Sequence, residues 1–302
     1  NLKGFMRHAL SGDEVAKKVW RVTTPCDRRN VNVYLIDIGD GFVLFDAGVK
    51  ATADSVRQIF EQWHFPLSEI KTIVVSHSHH DHIGALAELA EASGATVIAH
   101  KLAEAWMLDH ERQFLERFGR YKKDLPVPKS VRAAFFEQLG RPWLAEHWLD
   151  RLPVSLPCPR KVQLLHTPGH SPDCISLWLP DDRVLLSGDA FAGAGVARHL
   201  PYYTDLEKYR KTLSVIAEIN PQLLLTAHFA PISGETIPQA IQQSSRFTEL
   251  LDEFVLHALR NADAGLQLHF LTEMVCARFG RILSPDAATT IFAHLQSEEQ
   301  KK

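Results

Sequence analysis

Four histidines and an aspartate fall within six consecutive positions, His77 to His82, in the stretch SHSHHDHIG at 76–84. Imidazole and carboxylate pack poorly but are strong donors to divalent ions, so this density fits a metal site better than a core. His77 and His79 stand two apart at the end of an extended run, so both point to one side and can reach one ion. Asp81 and His82 follow at a turn and face a second position. His80 holds a variable place in the pattern and is read as solvent-facing or supporting, not ligating. Three distant groups join them. HTPGHS presents His170 from a Pro-Gly turn, SGDA places Asp189 at a strand end behind a permissive glycine, and TAHF places His228 at another.

The elements that must position these groups occur twice. Residues 31–48, VNVYLIDIGDGFVLFDAG, read as two strands around the turn Gly39-Asp40-Gly41, the second running into Asp46. Val56, Ile59, Phe60 and Trp63 follow at helical spacing. IKTIVVSH is a short apolar strand delivering His77, and IGALAELAEA is helical, which sets Asp81 and His82 at a helix start. The second half repeats the order. CISLWLPDDRVLLSGDA (174–190) is strand, turn and strand ending at Asp189, with Cys174 as a small apolar residue opening a buried strand. Residues 204–220 form a helix with Thr204 and Glu207 as a capping box, and PQLLLTAH delivers His228. VLFDA matches LLSGDA, and IVVSHSH matches LLLTAHF. This is a pseudo-duplicated α/β plan with its donors at the carboxyl ends of strands, where α/β folds bind ligands.

Residues 101–160 resemble neither half. They predict two helices, 101–123 and 130–152, separated by Pro126 and Pro128 and carrying Trp106, Trp143 and Trp148. Such an insertion is a lid or specificity element, with an extra packing layer as the alternative. After Pro238 the sequence predicts helices near 239–260, 267–279 and 286–296, which could cover the sheet, line the pocket mouth or form a dimer face. The organisation expected is a domain over 1–236 with a helical insertion, then a helical region over 237–302.

The totals narrow the class. The 302 residues are 45% hydrophobic and 23% charged, as in a globular chain, with formal charge −3 and no field for gripping nucleic acid. Four scattered cysteines without CxxC spacing suit a reducing compartment. No run of apolar residues is long enough to span a membrane, and the start carries no apolar signal core, so a cytoplasmic location is expected. The start also lacks an initiator Met, which suggests trimming. The basic run Arg117 to Lys123 reads as a solvated helix end. His8, His64, His100, His110, His147, His166, His257, His269 and His294 show no partner pattern and read as surface or satisfied core.

With these motifs, the chain resembles hydrolases of the metallo-β-lactamase fold over about residues 18–235, apart from the insertion. The resemblance implies an αββα sandwich. It implies that His77, His79 and His170 hold one metal, that Asp81, His82 and His228 hold another, and that Asp189 bridges them. Asp46 would orient the ligand loop. Two divalent ions are implied, zinc first, with iron and manganese also matched to these donors. A hydroxide bridging two ions about 3.5–4 Å apart would attack a carbonyl carbon, with Asp81 orienting it. Members that hydrolyse β-lactams carry cysteine where this chain has Asp189. Lactone-cleaving members carry tyrosine where it has Ala192. Glyoxalase II-like thioesterases share HTPGH and GD, and the insertion and tail resemble a quorum-signal thioesterase branch. The expectation is therefore cleavage of a small-molecule ester or thioester, with contacts from Phe191, His199, Tyr202 and Tyr203 on the loop after Asp189. Neither a nucleic acid nor a membrane partner is expected, and a homodimer is open. The alternatives are a lactonase, a single-iron persulfide dioxygenase, and a regulatory module with a vestigial site.

Overall fold

The computed structural model describes residues 13–26, 29–119, 125–195, 198–262 and 266–300. The amino-terminal strands β1 (Asp13–Ala16), β2 (Val19–Cys26), β3 (Arg29–Asp37) and β4 (Phe42–Phe45) pair antiparallel in sequence order. Helix α1 (Thr52–Trp63) then crosses over, burying Val56, Ile59 and Phe60, and ends at His64, whose φ is 58°. It leads to β5 (Ile70–Val74), parallel to β4. Short helices α2 (His80–Ile83) and α3 (Leu86–Ser93) connect to β6 (Thr96–His100), parallel to β5.

The insertion differs from the expectation in two places. The helix predicted over 101–123 is split into α4 (Glu104–Leu108) and α5 (His110–Arg117). Asp109 lies between them in extended conformation, and its carboxylate accepts the Arg112 N–H at 2.9 Å. A local side-chain cap thus competes with helix continuation. Helix α6 (Lys129–Glu137) stops well short of residue 152, and His147–Leu149 is instead strand β7, parallel to β6. Gly140, whose N–H bonds Gly84 O at 2.8 Å, and Pro142, which has no N–H, break the helix. Residues 120–123 of the basic run, and His8 with the start of the chain, lie outside the described residues.

Strands β8 (Val154–Ser155), β9 (Gln163–His166), β10 (Ile175–Leu179) and β11 (Val184–Leu186) pair antiparallel in turn. Helix α7 (Leu206–Ile219) returns the chain to β12 (Leu223–Leu225), parallel to β11, and β13 (Ile232–Ser233) pairs with β12. Hairpin, crossover helix and parallel strand therefore recur as β3–β4–α1–β5 and β10–β11–α7–β12. The cap of α7 is Asp205, not the predicted Thr204. Asp205 has the extended backbone, and its carboxylate accepts the Lys208 N–H at 3.0 Å, while the Thr204 N–H is taken by Gly169 O at 2.8 Å. Helices α8 (Thr236–Arg260), α9 (Leu268–Phe279) and α10 (Pro285–Gln300) complete the chain. Pro238 sits inside the first turn of α8, where a missing N–H is harmless.

Among the described residues the strands form one sheet of seven and one of six. Tyr34, Ile36, Phe45 and Val74 of the first meet Leu164, Leu177, Leu186 and Leu225 of the second in one apolar layer. On the outer face of the first sheet, Leu35, Leu44 and Ile73 pack on α1, α3 and α6. On that of the second, Leu185 and Leu224 pack on α7 and α8. Helix, sheet, sheet, helix is thus the order of layers, as expected of an αββα sandwich. Among the described residues no helix is long and apolar enough to cross a membrane.

Candidate metal centre

Asp46 ends β4 with φ at 68°, a costly conformation for aspartate that its contacts hold in place. One carboxylate oxygen accepts the Ser76 N–H at 2.7 Å, and the other accepts the Ser76 hydroxyl at 2.8 Å. Asp46 therefore fixes the start of the histidine loop beyond β5. Gly188 approaches the same serine from the other half of the fold. Its φ is 52°, and a Cβ there would lie 2.7 Å from Ser76 Oγ. This is why the residue before Asp189 has no side chain.

The donors converge as two overlapping groups. His77 Nε2, His79 Nδ1 and His170 Nε2 lie 2.9–3.1 Å from one another. Tetrahedral imidazole ligands of one zinc ion stand about 3.3 Å apart, so this spacing fits a shared ion. Asp81, His82 and His228 form the second group. Asp189 Oδ2 lies between the groups, 3.4 Å from His170 Nε2 and from His228 Nε2, and 3.6 Å from His82 Nε2. Five of the six residues are buried, His228 is half-buried with its side chain 3% exposed, and Asp189 shows 12% of its side chain.

Proton placement supplies the test of fit. His170 Nδ1 donates to Tyr202 O at 3.0 Å, and His228 Nδ1 donates to Asn30 O at 2.8 Å. His82 Nδ1 donates to Asp46 at 2.8 Å. In the neutral ring each bond puts the proton on Nδ1 and leaves Nε2 facing the centre as the donor, as metal-ligating histidines are held. Nε2 of His82 and of His228 is buried without a hydrogen bond of good geometry, an unsatisfied state that an ion would relieve. The residues therefore fit a pair of divalent ions.

The electrostatics divide the donors. Burial, then neighbouring imidazoles, keeps His77 well below the ordinary histidine pKa. Burial, with Arg117 and then His77 and His170, does the same to His79. Burial brings His170 down to about 4. Burial opposes ionisation of Asp81 and Asp189, yet nearby imidazoles, and Arg29 beside Asp81, hold both well below the carboxylate range. Burial also opposes charge on His82 and His228, but Asp46 and Asp189 carry His82 well above the ordinary value and Asp189, with Asp81, raises His228, so at these two a bound ion would displace a proton from Nε2.

The surroundings contain side chains that sequence reasoning did not single out. Arg29 Nη2 lies 2.9 Å from Asp81 Oδ2. Asp173 accepts from both the N–H and the hydroxyl of Ser78, pinning the loop between the first two histidines. The insertion grips the same loop from outside. Gln113 donates to Ser78 O, Arg117 Nη1 lies 3.3 Å from His80 Nδ1, and Phe135 packs 4.7 Å from the His80 ring. His80 is buried and belongs to neither donor group. Arg117 is 5% exposed, so this end of the basic run is buried rather than solvated. It pairs with Asp286 of α10 at 3.5 Å. Trp106 of α4 stacks on His79 at 5.7 Å.

Of the four residues expected to meet substrate, Tyr202 lies beside the centre, its ring 5.0 Å from His170 and 5.5 Å from His79. Tyr203 points the other way. It is fully buried and its hydroxyl meets His294 at 2.7 Å. Phe191 is 3% exposed in the core against α7 and α8, and His199 is exposed, its carbonyl accepting from Arg281 at 3.3 Å.

Comparison with known proteins bears directly on this arrangement. The metallo-beta-lactamase superfamily matches residues 26–228, which include every donor of both groups. The chain belongs to that superfamily. Within it, the chain is 29% identical over 250 residues to "Probable metallo-hydrolase YflN" of Bacillus subtilis, covering 74% of this chain and 89% of the relative. It is 26% identical over 286 residues to "Beta-lactamase-like protein 2 homolog" of Drosophila melanogaster, covering 90% and 83%. Its fold is shared with a metallo-beta-lactamase family protein of Thermus thermophilus, with TM-score 0.76, 22% identity and 94% of each chain covered. A beta-lactamase domain protein from Burkholderia ambifaria gives TM-score 0.74 at 18% identity, covering 97% of this chain and 90% of that one. As a metallo-beta-lactamase superfamily member, the chain keeps an aspartate, Asp189, between its two donor groups.

Proposed function

We propose that this superfamily member is a metal-dependent hydrolase that works with two divalent ions and cleaves a small carboxylic ester or thioester. One observation carries the reading. Donors from both halves meet at one buried centre, with Asp189 Oδ2 at 3.4 Å from both His170 Nε2 and His228 Nε2. His77, His79 and His170 would hold one ion, Asp81, His82 and His228 the other, and Asp189 would serve both. Zinc is the first choice, and iron and manganese also suit this donor set. When bound, such a pair supplies an activated water and a polarised carbonyl oxygen.

The chain's own residues do the rest. Asp46, Tyr202 O and Asn30 O keep the proton on Nδ1 of His82, His170 and His228, so that Nε2 is free to bind. Asp81, held ionised, would accept a hydrogen bond from the attacking water and orient it. Trp106 and Tyr202 flank the imidazoles of the first group and offer apolar faces to an organic substrate. The HTPGH and GD motifs support a glyoxalase II-like thioesterase branch, and the metallo-hydrolase name of the Bacillus subtilis relative supports hydrolysis. An intact Asp81–His82–His228 group favours this reading over a single-iron oxidoreductase of the same fold. No disulfide joins cysteines 26, 158, 174 and 276, which supports a reducing, cytoplasmic setting.

The test is turnover of a panel of thioesters, carboxylic esters, lactones and phosphodiesters by the purified protein, beside its Asp189→Ala variant. Esters or thioesters should be cleaved, and the variant should lose both turnover and one ion. Full activity in the variant would refute the mechanism.

A further inference from the structure

Arg29 takes no part in that chemistry, yet it touches the centre. Its guanidinium donates to Asp81 Oδ2 at 2.9 Å; the aspartate side chain is 1% exposed and the arginine side chain 34%. The next residue of β3, Asn30, takes the Nδ1 proton of His228 on its carbonyl at 2.8 Å. The first two residues of one strand therefore hold two of the three donors in the Asp81–His82–His228 group. The other group is held differently. His77 and His170 bond Ser76 Oγ and Tyr202 O, and Arg117, although its charge reaches His79 and His170, pairs with His80 and Asp286 and with no donor.

A fixed positive charge on a donor carboxylate acts on a dication in two ways. It competes for the oxygen lone pairs, and at a few ångströms it repels the ion directly. We infer that Arg29 makes the two metal positions unequal. The His77–His79–His170 position fills first, and the Asp81–His82–His228 position fills only at higher metal concentration. Arg29 is a positioning residue in this role, since it acts through Asp81. The inference rests on the two-ion reading above and adds a cause for stepwise loading. Because Arg29 is partly exposed, its influence is open to screening by salt.

The experiment is calorimetric titration of the metal-stripped full chain with zinc, for the wild type, Arg29→Gln and Arg29→Lys. The wild type should bind in two separated steps. Arg29→Gln should tighten the second step by on the order of tenfold or more, with the first step unmoved within about twofold. Arg29→Lys keeps the charge and should keep the wild-type order of affinities. In the wild type, added salt should narrow the gap between steps, a readout that stands even if Arg29→Gln fails to fold. A second step that is unchanged or weaker in Arg29→Gln, or a salt-independent gap, overturns the inference and leaves the two-ion reading intact. A single ion in the wild type with two in Arg29→Gln supports it. A single ion in all three proteins, even at high metal concentration, contradicts the two-ion reading itself.

Discussion

His82, His170 and His228 each commit their Nδ1 proton to a fixed acceptor, and only one of these acceptors is a side chain, Asp46. Asp46 also holds both the backbone and the hydroxyl of Ser76, so it sets the position of the loop and the tautomer of one donor together. Asp46→Asn keeps the shape, but one of its two carboxylate positions becomes an amide donor that cannot accept from all three partners. Metal affinity should fall by about ten- to a hundredfold, read by competition with a chromophoric chelator; unchanged affinity would remove Asp46 from this role. The side chains that converge here were legible in the sequence because they lie in short motifs at strand ends. Arg29 was not legible, since its partner Asp81 is 52 residues away and nothing in CDRRN announces a cation at a metal centre. Tyr202 and Tyr203 were equivalent on paper, and only the folded chain separates the one beside His170 from the one meeting His294.

The strands and crossover helices of the repeated units followed from apolar runs and helical spacing, because their burial is decided locally. The insertion followed less well. Asp109 and Gly140 break helices that periodicity alone would continue, and β7 forms because an edge of the first sheet is available to it, a partner that local sequence cannot supply. What the insertion does is clearer in three dimensions. Helices α4, α5 and α6 press Trp106, Gln113, Arg117 and Phe135 onto the histidine loop. The insertion is therefore a packing layer on that loop, and a specificity role for it is a proposal that Trp106 can test. If Trp106 forms a wall for substrate, Trp106→Ala should raise KM for apolar thioesters by about tenfold, with kcat within about threefold. Steady-state kinetics on a series of acyl lengths checks this, and an equal rise for the shortest acyl chain would argue for loop damage instead.

Across the whole molecule, each sheet brings part of one centre, so centre and fold share an acid sensitivity. His80 and His170, both brought to about 4 by burial first of all, bind fewer protons folded than unfolded below the ordinary value of 6.5. His77 and His79 are displaced in the same direction. Unfolding therefore takes up protons between pH 6.5 and about 4, and stability must fall as pH falls through that window. His82 and His228 are shifted the other way, so their contributions are complete below 6.5 and are lost only as pH rises through their folded values. Asp81 and Asp189, held low, lose theirs only below the carboxylate value of 3.8. Neither effect offsets the slope. The melting temperature of metal-stripped protein should drop steadily from pH 6.5 to 4, and bound ions should dissociate over the same range because ligating imidazoles must be neutral. A flat profile would show that His77, His79, His80 and His170 are not held neutral.

The central claim is that imidazoles and carboxylates from both halves close around a pair of ions. Anomalous scattering from crystals grown with zinc tests it most directly. Two peaks are predicted, one among His77, His79 and His170 and one among Asp81, His82 and His228, each within bonding reach of Asp189. Strong peaks elsewhere with none at these side chains would contradict the account.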